Sequence, residues 1–221
     1  MLKNNAVYMI GYNRSYAPWT KFVEKKINNL KAEIEMTINA GKLPNDHWLL
    51  NENKCGGRII GECCHYVDLI FALRKKSRLE NVTCIRRDRH YQDTGKFVFK
   101  FKNGSKAVID YRSDLPASLP KEKIIVKIKN QTYKNYNWKK FTSKKIFNAS
   151  MIKKSKGHDE AINSFFNRIK NKKYLSSNEI NHLCFSTYIS IKMQNMSSGD
   201  SLNITQEYQK EVLSKNSNLH D

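Results

Sequence analysis

Residues 96–112 contain the pattern that most restricts the fold of this chain. Two segments in which apolar and polar residues alternate, KFVFKF and KAVIDYR, flank the short sequence KNGS. Alternation with a period of two is typical of a half-buried strand, and Asn-Gly between two such strands favours a type I′ hairpin turn. The sequence therefore predicts an antiparallel hairpin near the middle of the chain.

Further elements are predicted on both sides of this hairpin. The predicted strands are AVYMIGY (6–12), AEIEMTIN (32–39), VTCIRRD (82–88) and KIIVKI (123–128), with shorter candidates at QTYKNYNW and KKIFN. Helical spacing of apolar residues predicts four helices. The first begins at Pro18, the second runs from Arg58 to Leu73, the third covers 158–171, and the fourth covers 177–194 with Ser177 as N-cap. This order indicates an α+β fold: an open, mostly antiparallel β-sheet with helices packed on one face. No glycine-rich phosphate loop follows a predicted strand, so we expect no Rossmann domain in this chain.

The folded domain is expected to span residues 1–196, with residues 197–221 as a polar, weakly structured tail. The sequence has no uninterrupted apolar stretch of about 18 residues and no signal-peptide pattern at its start, so we expect a cytoplasmic protein. Five cysteines, an odd number without regular spacing, indicate reduced thiols rather than a disulfide framework.

The formal charge of +20 would attract an anionic partner. Twelve lysines and one acid, Glu122, lie between Lys121 and Lys156, and aromatic residues are interspersed among them. One interpretation is a nucleic-acid or membrane-surface binder. The other, which we favour, is a set of solvated lysines on a sheet and its loops, because the segment has no recognisable binding motif and hardly any arginine.

The helix predicted from Arg58 to Leu73 carries the most chemistry-bearing residues. A stripe of small and polar residues lies opposite its apolar face: Gly61, His65, Asp68 and Ala72. His65 is three residues from both Glu62 and Asp68, and a histidine oriented by a carboxylate is a common general acid–base arrangement. A surface or capping role is the alternative for these residues.

Cysteines near this helix raise the question of a metal site. Cys55, Cys63, Cys64 and His65 are clustered, with His47 nearby, but no second pair of ligands has zinc-site spacing. We therefore interpret Cys63 and Cys64 as small buried side chains, and expect no metal.

Two further segments contain candidate ligand-binding residues. Asp46, His47 and Trp48 lie in the predicted long loop 40–57, where an exposed tryptophan would suit a ligand site and a buried one would close the edge of the sheet. Asn13 and Arg14 could position an anionic or hydroxyl-bearing ligand, or they could cap the helix that follows.

Five segments together resemble a known family. GYNRSYAP (11–18), INAGKLPNDHW (38–48), CGGRIIGECCHYVDL (55–69), PKE (120–122) and GHDEAINSFFNRI (157–169) resemble, in this order, the C-terminal substrate domain of Gfo/Idh/MocA oxidoreductases. Within that family the chain is most similar to sugar and sugar-nucleotide dehydrogenase-like members, including forms found among polysaccharide biosynthesis proteins.

The resemblance implies a function that residue patterns alone leave open. Members of the family combine a Rossmann domain that binds NAD(P) with an α+β domain whose open sheet often mediates oligomers, and the substrate lies between the two domains. A helix motif of the family ends in a histidine that transfers the proton of the substrate hydroxyl, and His65 matches this histidine. Many members carry an aspartate where this chain has Gly61, and Glu62 follows it.

We therefore expect the substrate-binding and oligomerisation half of an NAD(P)-dependent sugar or sugar-nucleotide dehydrogenase. The resemblance implies that the chain starts where the family's second domain starts, so that NAD or NADP would bind only with a separately encoded Rossmann subunit. His65 and Glu62 are the expected catalytic residues, and the expected substrate-binding residues are Asn13, Arg14, Asp46, His47, Trp48 and Arg58. The alternative is a non-enzymatic domain that interacts through its open sheet with a partner or with a second copy.

Overall fold

The computed structural model describes residues 7–90, 92–143 and 152–204. Its strands are β1 (Ala32–Asn39), β2 (Leu79–Asp88), β3 (Thr94–Phe101), β4 (Lys106–Arg112), β5 (Glu122–Ile128), β6 (Gln131–Tyr136), β7 (Lys140–Ser143) and β8 (Ser201–Asn203). Within the described residues these eight strands form one sheet in the order β7-β6-β5-β1-β4-β3-β2-β8. Neighbouring strands are antiparallel except β1 and β4, which are parallel.

The helices are α1 (Pro18–Ile27), α2 (Glu52–Cys55), α3 (Cys64–Leu73), α4 (His158–Lys170) and α5 (Ser177–Asn195). Two 3-10 helices, Asn13–Tyr16 and Trp48–Leu50, lie in the connections, and a π-helix, Ile59–Cys63, runs directly into α3. The inward side chains of α1 and α3 share one hydrophobic core with the strands, and α5 packs on α3. The predicted α+β class, an open and mostly antiparallel sheet with helices on one face, is confirmed.

Strand β1 shows how the sequence divides the two faces of the sheet. Ile34, Met36 and Ile38 are at most 2 % exposed and point toward the helices, whereas Glu33 and Glu35 alternate with them on the open face. The period of two in AEIEMTIN therefore places every second side chain in the core.

The central hairpin is formed by β3 and β4, as predicted, but its turn is of another type. A type I′ turn needs positive φ at two successive residues. In the segment that joins the strands, Gly104 alone has a positive φ, of 75°, and its N–H donates to the carbonyl of Phe101. Phe101 also pairs with Ser105, whose hydroxyl accepts from the N–H of Ala32. The loop thus has three residues instead of the two of the predicted turn, because Ser105 pairs with Phe101 and its hydroxyl bonds to Ala32 of β1.

Residues 7–12 do not form the predicted strand. The N–H groups of Tyr12 and Asn13 donate to the carbonyls of Ile10 and Gly11, two residues back, so the chain turns here rather than extending. The N-cap of α5 also differs from the prediction. Ser176 forms a capping box with Glu179, one residue before the predicted Ser177, because the Ser176 hydroxyl can reach the N3 amide.

The two ends of the sheet also differ from the predicted elements. β7 was not predicted, and the candidate strand KKIFN (144–148) lies outside the described residues. β8 pairs with β2, so the sheet extends into the segment 197–221 that was expected to be a tail, and residues 205–221 lie outside the described part.

Three aromatic residues of the basic segment belong to the core. Tyr133, Trp138 and Phe141 are buried and pack with α1, so they are not available to stack on nucleic-acid bases. In the described ranges, no helix combines the length and apolarity that crossing a bilayer requires. The five cysteines are unpaired, and the predicted burial of Cys63 and Cys64 is confirmed.

Candidate active site

His65 lies in the first turn of α3, immediately after the π-helix. The N–H of Cys64 donates to the carbonyl of Ile59, five residues back, which widens the helix at this point. Single π turns often occur at functional sites. The wider turn rotates the residues before it relative to those after it, so the predicted stripe from Gly61 to Ala72 does not lie on one exposed side.

The His65 imidazole is largely enclosed. The Tyr12 ring meets it edge-on with 5.6 Å between ring centroids. Its Nδ1 atom is buried and has no hydrogen-bond partner in the described part of the chain. Burial, together with the positive charge of Arg14, lowers the pKa of His65 to about 4, against the opposing charge of Asp68. The imidazole is therefore neutral near neutral pH.

A buried ionic cluster lies beside His65, and we call Arg14, Glu122, Trp138 and Lys156 the Glu122 cluster. The Glu122 carboxylate accepts two hydrogen bonds from the Arg14 guanidinium, at 3.1 and 3.0 Å, and one from the Trp138 indole at 2.6 Å. Lys156 Nζ is 2.5 Å from the same carboxylate. Burial acts to raise the pKa of Glu122, but the charges and hydrogen bonds of Arg14 and Lys156 outweigh it and hold the pKa at about 2. One carboxylate thus neutralises only one of two cations near His65.

Asp68 contacts residues other than His65. Its side chain is buried, accepts a hydrogen bond from the Ser15 hydroxyl, and lies 2.7 Å from His182 Nε2 on α5. α5 covers the side of α3 that was expected to face solvent, and it places His182 next to Asp68.

Glu62 contacts Arg58 and Tyr111 rather than His65. The Arg58 guanidinium lies 2.7 Å from the Glu62 carboxylate, and the Tyr111 hydroxyl on β4 donates to the same carboxylate. Arg58 is fully buried and also donates to the carbonyls of Ala40 and Gly41. Glu62, predicted to be catalytic, and Arg58, predicted to bind substrate, thus hold the start of the π-helix against β4 and the loop after β1.

Asp46, His47 and Trp48 lie on the surface near the same helix. Trp48 is 58 % exposed, and His47 stacks against it with 5.9 Å between ring centroids. Leu49 packs over Gly61: a Cβ atom on Gly61 would lie 2.8 Å from a Leu49 methyl group. An aspartate at Gly61 would displace Leu49, and Trp48 does not close the edge of the sheet.

Asn13 and Arg14 do not cap α1, since the N-cap is Ala17 and no side chain bonds to it. The Asn13 amide instead donates to the carbonyl of Lys156 at 2.8 Å, next to the Glu122 cluster. The structure therefore brings Asn13 and Arg14 together with His65, and the two residues bind protein groups there.

Sequence reasoning missed four residues of this region: Tyr12, Glu122, Lys156 and His182. Glu122 carried a signal, because it is the single acid among the lysines from Lys121 to Lys156. The other three approach His65 or Asp68 from remote parts of the chain, and no local pattern marks them.

The glycine pair before the π-helix does not fit a dinucleotide. A Cβ atom on Gly57 would lie 2.5 Å from the Gln194 amide, and that amide accepts the N–H of Ile59 at 3.1 Å. A pyrophosphate needs this space and these N–H groups. No group of three metal-ligating side chains suited to a metal ion occurs in the described residues.

Sequence comparisons find no match for this chain among family models or curated proteins. Solved structures do match. An oxidoreductase from Thermotoga maritima is 12 % identical with a TM-score of 0.68, and the match covers 92 % of this chain and 62 % of that one.

Two matching structures contain a nicotinamide cofactor. GenD2 from gentamicin A biosynthesis, in complex with NAD, is 14 % identical with a TM-score of 0.66, covering 90 % of this chain and 64 % of that one. Levoglucosan dehydrogenase, in complex with NADH, is 11 % identical with a TM-score of 0.63, covering 93 % of this chain and 68 % of that one. This chain therefore has the fold found over roughly two thirds of the length of these oxidoreductases.

Proposed function

We propose that this chain is the substrate-side half of an NAD(P)-dependent dehydrogenase of the Gfo/Idh/MocA type, acting on a sugar or sugar nucleotide. The observation that carries the proposal is the neutral, enclosed His65 imidazole, placed directly after a π-helix in a fold shared with NAD-bound oxidoreductases. Perturbed titratable groups of this kind concentrate at functional sites.

His65 would exchange a proton with the substrate. Oxidation of a secondary alcohol releases the hydroxyl proton as the hydride leaves, and a neutral imidazole can accept that proton. In the reverse direction the imidazolium returns it to the carbonyl oxygen. Arg14 would keep the imidazole neutral between turnovers, and the Tyr12 ring would fix its plane.

Other side chains would have supporting roles. Trp48 and His47 present an exposed stacked pair to which a sugar face could bind, with Asp46 beside them for hydroxyl groups. Asn13 and Arg14 would position the substrate indirectly through the Glu122 cluster. Arg58 and Glu62 would act as positioning residues, because their contacts fix the π-helix that precedes His65.

The hydride acceptor, NAD or NADP, would be held by a separate dinucleotide-binding domain, because the described residues offer no fitting phosphate loop. An exposed apolar stripe on α4 supports the proposal that such a domain binds to this chain. Ile162, Phe166 and Ile169 lie on one side of α4, and each is more than 40 % exposed. Exposed apolar stripes commonly mark an interaction surface.

We also propose that the chain self-associates through the open face of the sheet. Lysines there alternate with Glu33 and Glu35 across β1 and β5, and Ile125 and Val108 lie between them, half-buried. A face of mixed charge and apolar groups can pair with a second copy of itself.

The catalytic proposal is tested by following nicotinamide reduction over a panel of sugars and sugar nucleotides. The chain alone should not turn over, whereas the chain with its dinucleotide-binding domain should. His65→Asn should lower kcat by about a hundredfold or more in the complex, the usual size of a general-base contribution. The matched control is His90→Asn, which removes an exposed histidine after β2. Turnover by the isolated chain, or equal rates for the two variants, would contradict the proposal.

A further inference from the structure

A cleft of about 920 Å³ lies between α3 and α5, and His65 is not among the described residues that line it. Tyr12 and Asp68 line it at one end. Arg74, Ser77 and Arg78, in the loop after α3, line it further along. Asp68 and Arg74 are six residues apart on this helix, so about 9 Å separates the two regions along its axis.

Three hydrogen-bond donors in this loop have no partner among the described residues. Arg74 Nε, Ser77 Oγ and Arg78 Nε are buried, and none has a hydrogen-bond partner in the described residues. Arg74 is 2 % exposed and uses one guanidinium nitrogen on the carbonyl of Leu30, at 3.0 Å. Buried donors without acceptors cost free energy, so a group of three in one loop needs an explanation.

Neither arginine forms an ion pair with a described residue, although the Arg74 guanidinium lies 5.8 Å from the centre of the Phe101 ring. Lys75 and Lys21, which also line the cleft, pair with Glu24 at 2.8 and 3.8 Å, so this single carboxylate already serves two lysines. Burial lowers the pKa of Arg74, and no carboxylate in the described residues offsets that shift. This part of the cleft therefore has a net positive charge and free donors.

An apolar wall continues from these donors. The Phe71 and Phe185 rings lie 5.0 Å apart, and both line the cleft. Phe71 also meets His182 edge-on, with 6.4 Å between ring centroids, and His182 bonds to Asp68. The cleft thus offers cationic donors, then an aromatic surface, then a hydrogen-bonding carboxylate–histidine pair.

We propose that this cleft binds a small organic oxyanion whose phosphate or carboxylate accepts from Arg74, Ser77 and Arg78 and whose apolar body lies against Phe71 and Phe185. The planar guanidinium fork matches both kinds of head group. This site is separate from the proton-transfer role of His65. Its test needs neither cofactor nor turnover, so either proposal can fail without the other.

Isothermal titration calorimetry of the full chain distinguishes the head groups. The probes are phenyl phosphate, benzoate, inorganic phosphate and benzyl alcohol. We expect phenyl phosphate or benzoate to bind about tenfold or more tightly than the last two probes, because each of those lacks one half of the required ligand. The tighter of the first two identifies the head group. If neither exceeds inorganic phosphate, the proposal is overturned.

Two variants in one loop separate a binding role from general charge. Arg78→Gln removes a cleft donor, whereas Lys76→Gln removes the same charge from a side chain that instead bonds to Asn28, at 2.7 Å. Arg78→Gln should weaken binding about tenfold and Lys76→Gln by no more than about twofold. The unfolding midpoint of unliganded Arg78→Gln should not fall, since Arg78 Nε has no acceptor among the described residues to lose. Equal losses of affinity in the two variants, or a lower midpoint for Arg78→Gln, would overturn the assignment.

Discussion

Glu122 and His65 show how a few buried charges set the chemistry of this region. Glu122 bonds to Arg14, Lys156 and Trp138 and remains ionised, while His65, beside the same two cations, remains neutral. A neutral histidine next to net positive charge accepts a proton only transiently, which suits a group that must return it. The protonation state of His65 thus depends on residues more than 50 positions away in the sequence.

Glu122→Gln should be strongly destabilising. It leaves Arg14 and Lys156 buried without a counter-charge, and breaking a buried ion pair in this way costs about 3–5 kcal/mol. Urea unfolding at neutral pH measures the effect. Glu35→Gln is the matched control, because its pair with Lys127 is half-exposed and worth about 1 kcal/mol or less. Equal losses for the two variants would contradict a central role for the Glu122 cluster.

The same carboxylate predicts a pH dependence of stability. The pKa of Glu122 is about 2 in the folded protein, whereas an unperturbed glutamate, as in the unfolded chain, has a pKa of 4.5. The stabilisation is therefore fully present above pH 4.5 and is lost as the pH falls from there toward 2, because the unfolded state takes up the proton first. The stability difference between wild type and Glu122→Gln should therefore shrink as the pH falls from 4.5 toward 2. Urea unfolding at several pH values measures this difference. A difference that stays constant with pH would contradict the low pKa of Glu122.

The His65 imidazole should not titrate in the ordinary range. Burial and Arg14 lower its pKa to about 4, so its NMR signals should stay constant from neutral pH down to about pH 5 and then move. Loss of a signal in His65→Asn assigns the resonance. A His65 midpoint near 6.5 would show that the imidazole is solvated, against the enclosed site described above.

At the scale of elements, the regular strands and helices could be predicted because their patterns are local. AEIEMTIN alternates through all of β1, and the Pro18 helix begins with a residue suited to its first turn. The hairpin strands were predicted for the same reason, whereas the turn depended on Ser105 pairing with Phe101 and bonding to Ala32 of another strand.

The candidate site could be predicted only in part. His65 was found from its motif, but its partners are set by long-range packing: 108 residues separate Arg14 from Glu122, and 114 separate Asp68 from His182. Local spacing suggested that Glu62 or Asp68 would orient His65. The π turn and α5 redirect both carboxylates, and neither feature has a signature in residues 58–73.

Gly157, at the start of α4, should tolerate no side chain. Its φ is 93°, and a Cβ atom would lie 2.1 Å from the carbonyl oxygen of Asn13. Gly157→Ala should therefore cost about 2–5 kcal/mol, from left-handed strain plus a backbone clash. Gly199→Ala isolates the strain, because φ is 91° and no atom of the described residues would lie within 4 Å of the new Cβ. This substitution should cost about 1–2 kcal/mol. Urea unfolding of both variants measures the two losses of stability. Equal losses would contradict a close contact between Gly157 and the 3-10 helix Asn13–Tyr16.

At the scale of the whole molecule, one sheet has two different faces. The helical face buries a continuous core and supports His65, while the open face carries charged rows and a few apolar residues. The fold is shared with oxidoreductases of which this chain spans roughly two thirds. A division of labour between this chain and a dinucleotide-binding domain follows from the proposal.

Self-association through the open face predicts a concentration-dependent dimer in sedimentation velocity. Ile125→Asp should weaken the dimer by placing a charge in the middle of the proposed interface. Leu119→Asp is the control, since Leu119 is an exposed apolar residue in the loop before β5. A monomer at every concentration, or equal weakening by both substitutions, would contradict this interface.

The most direct test of the central claim is an NMR titration of the chain, labelled at its histidine rings, with sugars and sugar nucleotides. We expect at least one of these ligands to shift the His65 signals, and we expect His65→Asn, but not His90→Asn, to weaken its binding. A ligand that binds without moving the His65 signals, or that binds His65→Asn as tightly as wild type, would contradict the claim that His65 faces the substrate.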